Sequence, residues 1–183
     1  ERLRINTDGK VLIGSNASVN VGGSSANSQL QIEGTSGNNS SLTLIRNQNN
    51  TGGSIIRFGK TRGSSTGAVT TVADGDTLGN ITFSGADGTD IQNATAQIKA
   101  VVNGTVGGDQ IPTDISFETS SSSGANRTER LRIKSDGEVR VISSGSNNDP
   151  AHLTLHCEDS SIVADDAIGK IRFAGRDSGG STV

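Results

Sequence analysis

Apolar and polar residues alternate in short runs along the chain, and the clearest run lies at its start. Leu3 and Ile5 are separated by one charged residue, so a strand would point both side chains to the same face. A tight turn is indicated next, because Gly9 can supply the positive φ that such a turn needs. Val11 and Ile13 then repeat the alternation. The pattern predicts a β-hairpin whose buried face carries these four apolar side chains.

The hairpin pattern occurs twice. Residues 1–11 have the sequence ERLRINTDGKV, and residues 129–139 have the sequence ERLRIKSDGEV, at an offset of 128 residues. Internal repetition of this kind is typical of repeat architectures. We therefore predict a first hairpin over residues 1–15, a first repeat unit over 1–128, and a truncated second unit over 129–183.

Further short strands are predicted between the two hairpins. An Ile-x-Phe pattern with a glycine close behind it occurs three times, and a Leu-Thr-Leu pattern occurs twice, at 42–44 and 153–155. The predicted strands of the first unit are about 41–45, 54–59, 78–84, 94–102 and 113–119. Spacers rich in Ser and Gly, at 22–25 and 120–124, indicate loops or flexible linkers. Glycine and β-branched residues interrupt every candidate helix.

The composition argues against a compact monomer. Gly, Ser, Thr and Asn account for 83 of the 183 residues, 30% of the chain is hydrophobic, and there are four Phe and no Trp, Tyr or Met. One such chain cannot bury enough apolar area to offset its conformational entropy. The chain is then either disordered or shares a core with copies of itself. The many β-branched residues in alternating runs favour the shared core, since disordered segments are poor in them.

These observations predict an all-β protein, an elongated and repetitive fibre of short strands and hairpins. Identical chains would share the thin core as an intertwined or side-by-side homotrimer, because short strands with one small apolar face are not stable alone. A single-chain β-solenoid is the alternative. It is disfavoured because the repeats are long and irregular, without a fixed rung length.

Charge and apolar runs exclude two classes of partner. The net charge is −3, and the sixteen basic residues are spread singly, so no footprint for nucleic acid is visible. The longest apolar run has three residues, which predicts no membrane insertion. The single cysteine excludes an internal disulfide framework. Because the chain starts at Glu1 without Met and stops inside a repeat, we expect it to be a piece of a longer polypeptide.

One stretch combines histidine and cysteine. On a strand, His152 and His156 would lie about 13 Å apart, at roughly 3.3 Å per residue, which is too far to share one metal ion. Cys157 would face the side opposite to His156. A catalytic Cys–His pair or a zinc site is therefore the weaker alternative to ordinary strand residues.

Two turns are rich in aspartate, Asp74-Gly75-Asp76 and Asp87-Gly88-Thr89-Asp90. Short Asp/Gly loops can bind Ca²⁺ through their oxygen atoms, but these residues are also ordinary turn formers and no EF-hand pattern is present. A groove that cleaves sugars usually presents aromatic rings, and the chain has no Trp or Tyr. We expect no enzyme activity, no catalytic, cofactor-binding or metal site, and no cofactor.

The second hairpin resembles a repeat in the tail fibre proteins of marine phages, including cyanophages, and of other phages. Thr128 to Gly137 has the sequence TERLRIKSDG, and Ile115-Ser116-Phe117 precedes it. In that family an Ile-x-Phe strand leads through a Ser/Gly loop into T-E-R-[LM]-R-I-x-x-[DS]-G, followed by V-x-I-G-T. Residues 11–15, VLIGS, are similar to this last motif, whereas residues 139–143, VRVIS, depart from it.

The resemblance implies a homotrimeric, extended protein of the virion tail that reaches towards the host surface. Its partners would be copies of itself, other virion tail proteins, and a host surface glycan or protein contacted through regions outside this chain. The implied function is a structural shaft that supports host-cell attachment. A bacterial extracellular filament or adhesin at the cell surface is the alternative, and a glycan-degrading tailspike is a weaker one.

Overall fold

The computed structural model describes residues 2–23, 28–121, 127–143 and 151–154, and the protein is all-β there. The described part contains no α-helix, and a 3₁₀ turn spans Gly37–Asn39. The first sheet has the order β1-β2-β3 and the second β4-β5-β6-β7-β8. The strands are β1 Leu3–Ile5, β2 Val11–Ile13, β3 Leu30–Ile32, β4 Thr77–Gly85, β5 Asn93–Val102, β6 Thr113–Ser120, β7 Arg127–Ile133 and β8 Val139–Val141.

The first predicted hairpin is confirmed. β1 and β2 are antiparallel, with Leu3 opposite Ile13. The side-chain oxygen of Asn6 accepts hydrogen bonds from the amides of Asp8 and Lys10, at 3.0 and 2.9 Å. Gly9 has a φ of +76°, the left-handed conformation that the turn requires.

The buried side of this hairpin is the opposite of the predicted one. Leu12 is fully buried, whereas Leu3, Ile5 and Ile13 are exposed. A strand that sequence reasoning missed explains the difference, because β3 pairs in parallel with β2 and places Gln31 beside Leu12. The Gln31 side chain accepts from the amide of Val19 and donates to its carbonyl oxygen, at 3.0 and 3.2 Å. The β2–β3 connection is thereby held on the Leu12 side.

The second hairpin reproduces the first one at the offset of 128 residues. Leu131 lies opposite Val141, as Leu3 lies opposite Ile13. The amide of Lys134 donates to the carbonyl oxygen of Glu138 at 2.9 Å, and the equivalent bond in the first hairpin measures 3.0 Å. The repeated sequence therefore specifies the same backbone register in both places.

The second sheet is an antiparallel meander in which each strand pairs with the next along the chain. Three predicted strands are confirmed here: 78–84 as β4, 94–102 as β5 and 113–119 as β6. β7 and β8 are the second hairpin, so this repeat copy completes the sheet that the preceding strands begin.

Two predicted strands are wrong for this structure. Residues 41–45 and 54–59 form no strand, because their backbone has no ladder partner in the described part of the chain. Leu153, from the second Leu-Thr-Leu pattern, is likewise in no strand, and the third Ile-x-Phe pattern, at 171–173, lies outside the described residues. The division into units 1–128 and 129–183 stays a prediction.

Candidate interaction surface

One face of the five-stranded sheet is apolar across its whole width. Successive strands place their apolar residues directly opposite one another, so they form two parallel rows. The first row is Ile81, Ile98, Phe117, Leu131 and Val141; the second is Gly79, Ala100, Ile115, Ile133 and Val139. We call these two rows the apolar face. Cross-strand pairs of this type stabilise a sheet when the face they form is covered.

The apolar face is open to solvent in the single chain. Ile81 is 49% exposed and Val139 is 61% exposed, and no residue of either row is buried. The buried residues of these strands are three polar ones, Gln97, Asp114 and Ser116, and two apolar ones outside the two rows, Ala94 and Val102. A soluble sheet normally buries its apolar side and exposes its polar one. The arrangement here is reversed and leaves an uncovered apolar surface of the kind that marks an interaction site.

One extended segment crosses the border of the apolar face. Phe58 lies against Gly79, where a side chain on the glycine would overlap the phenylalanine Cβ. A small cavity of about 150 Å³ lies beside this contact, lined by apolar-face residues such as Ile81 and Ile98. The glycine thus admits an aromatic ring that remains 58% exposed.

The first hairpin carries the same exposed pattern. Leu3 and Ile5 are 61% and 71% exposed, and their equivalents in the second hairpin, Leu131 and Ile133, belong to the apolar face. Both copies of the repeat therefore present an apolar side that the single chain does not cover.

The opposite, polar face of the sheet is crossed by a network of charges. Asp114 is fully buried and accepts hydrogen bonds from Arg132 Nη1 at 2.8 Å, from Asn103 Nδ2 at 2.7 Å and from the Ser135 amide at 2.9 Å. Burial by itself raises the pKa of Asp114, but these donors outweigh it, so that the pKa lies below its ordinary value. Glu129 pairs with the other side of the same guanidinium and helps to raise the pKa of Arg132.

A second group of charges lies beside the first on the polar face. Glu118 pairs with Lys99 and lies 3.5 Å from Arg127 Nε. Ser116 lies between Lys99 and Arg132 in the cross-strand order and is fully buried, with its hydroxyl unpaired. Long side chains that lie along a sheet can exclude solvent from a short side chain between them. The polar face is thus covered by its own side chains and needs no partner to close it.

The carboxylates of the aspartate-rich turns accept hydrogen bonds from backbone amides. Asp87 accepts from the amides of Thr89 and Asp90, at 2.8 and 3.1 Å, and these bonds lower its pKa. Asp74 accepts from the amide of Gly104 at 2.7 Å. The Asp87 bonds are those of an ordinary turn residue, whereas the Asp74 bond joins its turn to the loop after β5.

Asp76 also connects two distant segments. Its carboxylate accepts hydrogen bonds from Nε and Nη2 of Arg62, at 2.8 and 2.9 Å, and from the Ala73 amide at 2.9 Å. The guanidinium hydrogen bond, followed by the amide, holds the pKa of Asp76 well below its usual range. Such a bidentate pair fixes the loop before β4 against the segment at 60–63.

The histidine–cysteine stretch is only partly within the described residues. His152 is exposed, and His156 and Cys157 lie outside. Among the described residues, no group of three or more His, Cys, Asp or Glu side chains is arranged to hold a metal ion. Within the same part of the chain, no helix has the length and apolarity needed to cross a bilayer.

Comparisons with known proteins point to one kind of fold. No protein-family model and no curated protein matches the chain. Among solved structures, the carboxy-terminal domain of the L-shaped tail fibre of bacteriophage T5 is similar, with a TM-score of 0.63 and 15% sequence identity over 88% of this chain and 68% of that one. The same domain with its intramolecular chaperone domain gives a TM-score of 0.50 at 15% identity, over 95% of this chain and 50% of that one. The chain has the all-β fold of a phage tail-fibre domain.

Proposed function

We propose that this chain is a structural shaft segment of a phage tail fibre, serving attachment of the virion to its host cell. The apolar face carries the proposal. It is wide, continuous and uncovered, while the opposite face is closed by its own ion pairs. The similarity in fold to a tail-fibre domain supports the same reading. The specific repeat family indicated by the hairpin motif stays a prediction.

The shaft is a homotrimer in this proposal. Three apolar faces meet about a common axis, and three polar faces point to solvent. Burial of the face removes half-exposed Ile, Val and Phe side chains from water, at about 25 cal/mol per Å². The segment works as a spacer in the virion tail, without catalysis, and receptor contact belongs to other parts of the fibre.

The first experiment measures the mass and hydrodynamic radius of the native particle by light scattering. We expect a mass near three times 18.7 kDa and a radius larger than that of a compact particle. A compact monomer would contradict both the trimer and the shaft.

A pair of neighbouring substitutions tests the apolar face. Ile81→Asp places a carboxylate in it and should dissociate the trimer, because burying an unpaired charge costs more than the roughly 2–7 kcal/mol of a neutral polar group. Thr82→Asp adds the same charge to the next residue, which is exposed on the polar face, and should leave the mass unchanged. Equal masses for the two variants would exclude the apolar face as the contact.

A further inference from the structure

Two stretches of chain have no strand partner within the described residues. Residues 41–47 and 54–60 contain no turn, bend, helix or strand, and we call them together the unpaired segment. They include the two regions in which alternation predicts strands. The sequence thus favours strands where this single chain forms none.

The backbone of the unpaired segment makes no ladder. Within the described part of the chain, no backbone–backbone hydrogen bond joins residues 41–47 or 54–60 to any other segment. Neither stretch contains proline, so every residue keeps a donor and an acceptor. A row of unpaired backbone groups is a template for pairing with another chain.

The apolar side chains of the unpaired segment are exposed. β-branched and aromatic residues, which favour strands, are frequent in it. The exposed large side chains are Leu42, Leu44, Ile45, Ile55, Ile56 and Phe58, each between 47% and 75% exposed. Left uncovered, such a stretch would aggregate.

We propose that the unpaired segment forms its β-ladder with a neighbouring copy of this chain. The three chains are then intertwined along the unpaired segment and packed side by side at the five-stranded sheet. The inference rests on the proposed homotrimer and adds the part of the chain that crosses between subunits.

Two observations identify a second copy as the partner. Phe58 lies on Gly79, so the unpaired segment and the apolar face form one continuous apolar surface, which one neighbour covers together. Residues 41–60 also carry three cations and no carboxylate, which leaves −6 on the remainder of a chain whose net charge is −3. The segment is therefore opposite in charge to the rest of a neighbouring copy.

A matched pair of proline substitutions tests the ladder. Thr43→Pro removes a backbone donor from the unpaired segment and should raise the dissociation constant of the trimer at least tenfold. Thr66→Pro makes the same change at the second position of a turn, in which the Ala68 amide donates to the Ser65 carbonyl oxygen at 3.1 Å and Gly67 has a φ of +81°. Proline suits that position, so the control should stay trimeric. Unchanged trimers for both variants would count against the inference.

Isotope-filtered NMR provides a test that does not depend on a variant folding. Trimers are assembled from equal parts of a ¹⁵N-labelled and a ¹³C-labelled chain. NOEs between amide protons of residues 41–47 on one chain and α protons on the other are expected. A wild-type trimer without such NOEs overturns the inference and leaves the proposed shaft standing. A wild-type monomer overturns both.

Discussion

At the scale of single residues, Asp114 is a buried carboxylate within the charge network of the polar face. It is fully buried, with Arg132, Asn103 and the Ser135 amide as donors. Asp114→Asn should lower the free energy of unfolding at pH 7 by about 1.5–3 kcal/mol, because a charge-assisted hydrogen bond is lost in a buried place. Asp8→Asn, at the equivalent exposed position in the turn of the first hairpin, is the matched control and should unfold like the wild type. Urea denaturation followed by circular dichroism measures both.

Asp114→Asn should also change how the stability of the protein depends on pH. The folded pKa of Asp114 lies below its ordinary value of 3.8. The stability it contributes is therefore present above pH 3.8 and is lost as the pH falls through the lower, folded pKa. Wild-type protein should lose more stability than Asp114→Asn between pH 5 and the acid end of the titration. Equal losses of stability in the two proteins would show that a different titrating group causes the destabilisation at acid pH.

Sequence reasoning did not find the Asp114 site. Its partner Arg132 is 18 residues away and the Ser135 amide is 21 residues away. Nothing local in the sequence distinguishes this aspartate from those in the turns. The strand register brings the groups together, and a one-residue slip would turn them to the other face.

At the scale of elements, the contact between Phe58 and β4 is open to a direct test. Gly79→Ala should destabilise the protein by about 1 kcal/mol or more, because the new methyl group overlaps the Cβ of Phe58 and forces the segment away from the sheet. Gly85→Ala, on the same strand with no heavy atom within 4 Å of its new Cβ, should be neutral or slightly stabilising. Thermal unfolding measures both. Equal melting temperatures would mean that Phe58 is not held there.

The elements show why some strands could be predicted and others could not. The hairpins follow from local chemistry, since the glycine turn and the alternation on each side fix the pairing. Prediction also succeeds where a strand pairs with its neighbour along the chain, as it does at 78–84, 94–102 and 113–119. At 41–45 and 54–59 the alternation is as clear, but a strand needs a partner as well as a pattern. β3 was missed because it pairs in parallel with β2 across a long connection, so no tight turn in the sequence indicates the pairing.

At the scale of the whole molecule, composition and structure agree that the single chain has a small hydrophobic core. The buried hydrophobic residues among those described are Leu12, Val72, Ala94 and Val102, a small core for so long a chain. In the proposal, stability comes from association. The melting temperature should then rise with protein concentration, by about 2–4 °C for each tenfold increase. Ile81→Asp should melt at a temperature that does not depend on concentration. A wild-type protein that behaves in the same way would contradict assembly-dependent stability.

The two hairpins share one backbone register although they differ at the position of Leu12, which is Arg140 in the second copy. The shared register has a consequence for how the gene can change. Recombination between the two matching stretches would remove or duplicate 128 residues and would join hairpin to hairpin in the same register. The length of the chain can therefore change in whole repeats during evolution, with the same hairpin at each junction.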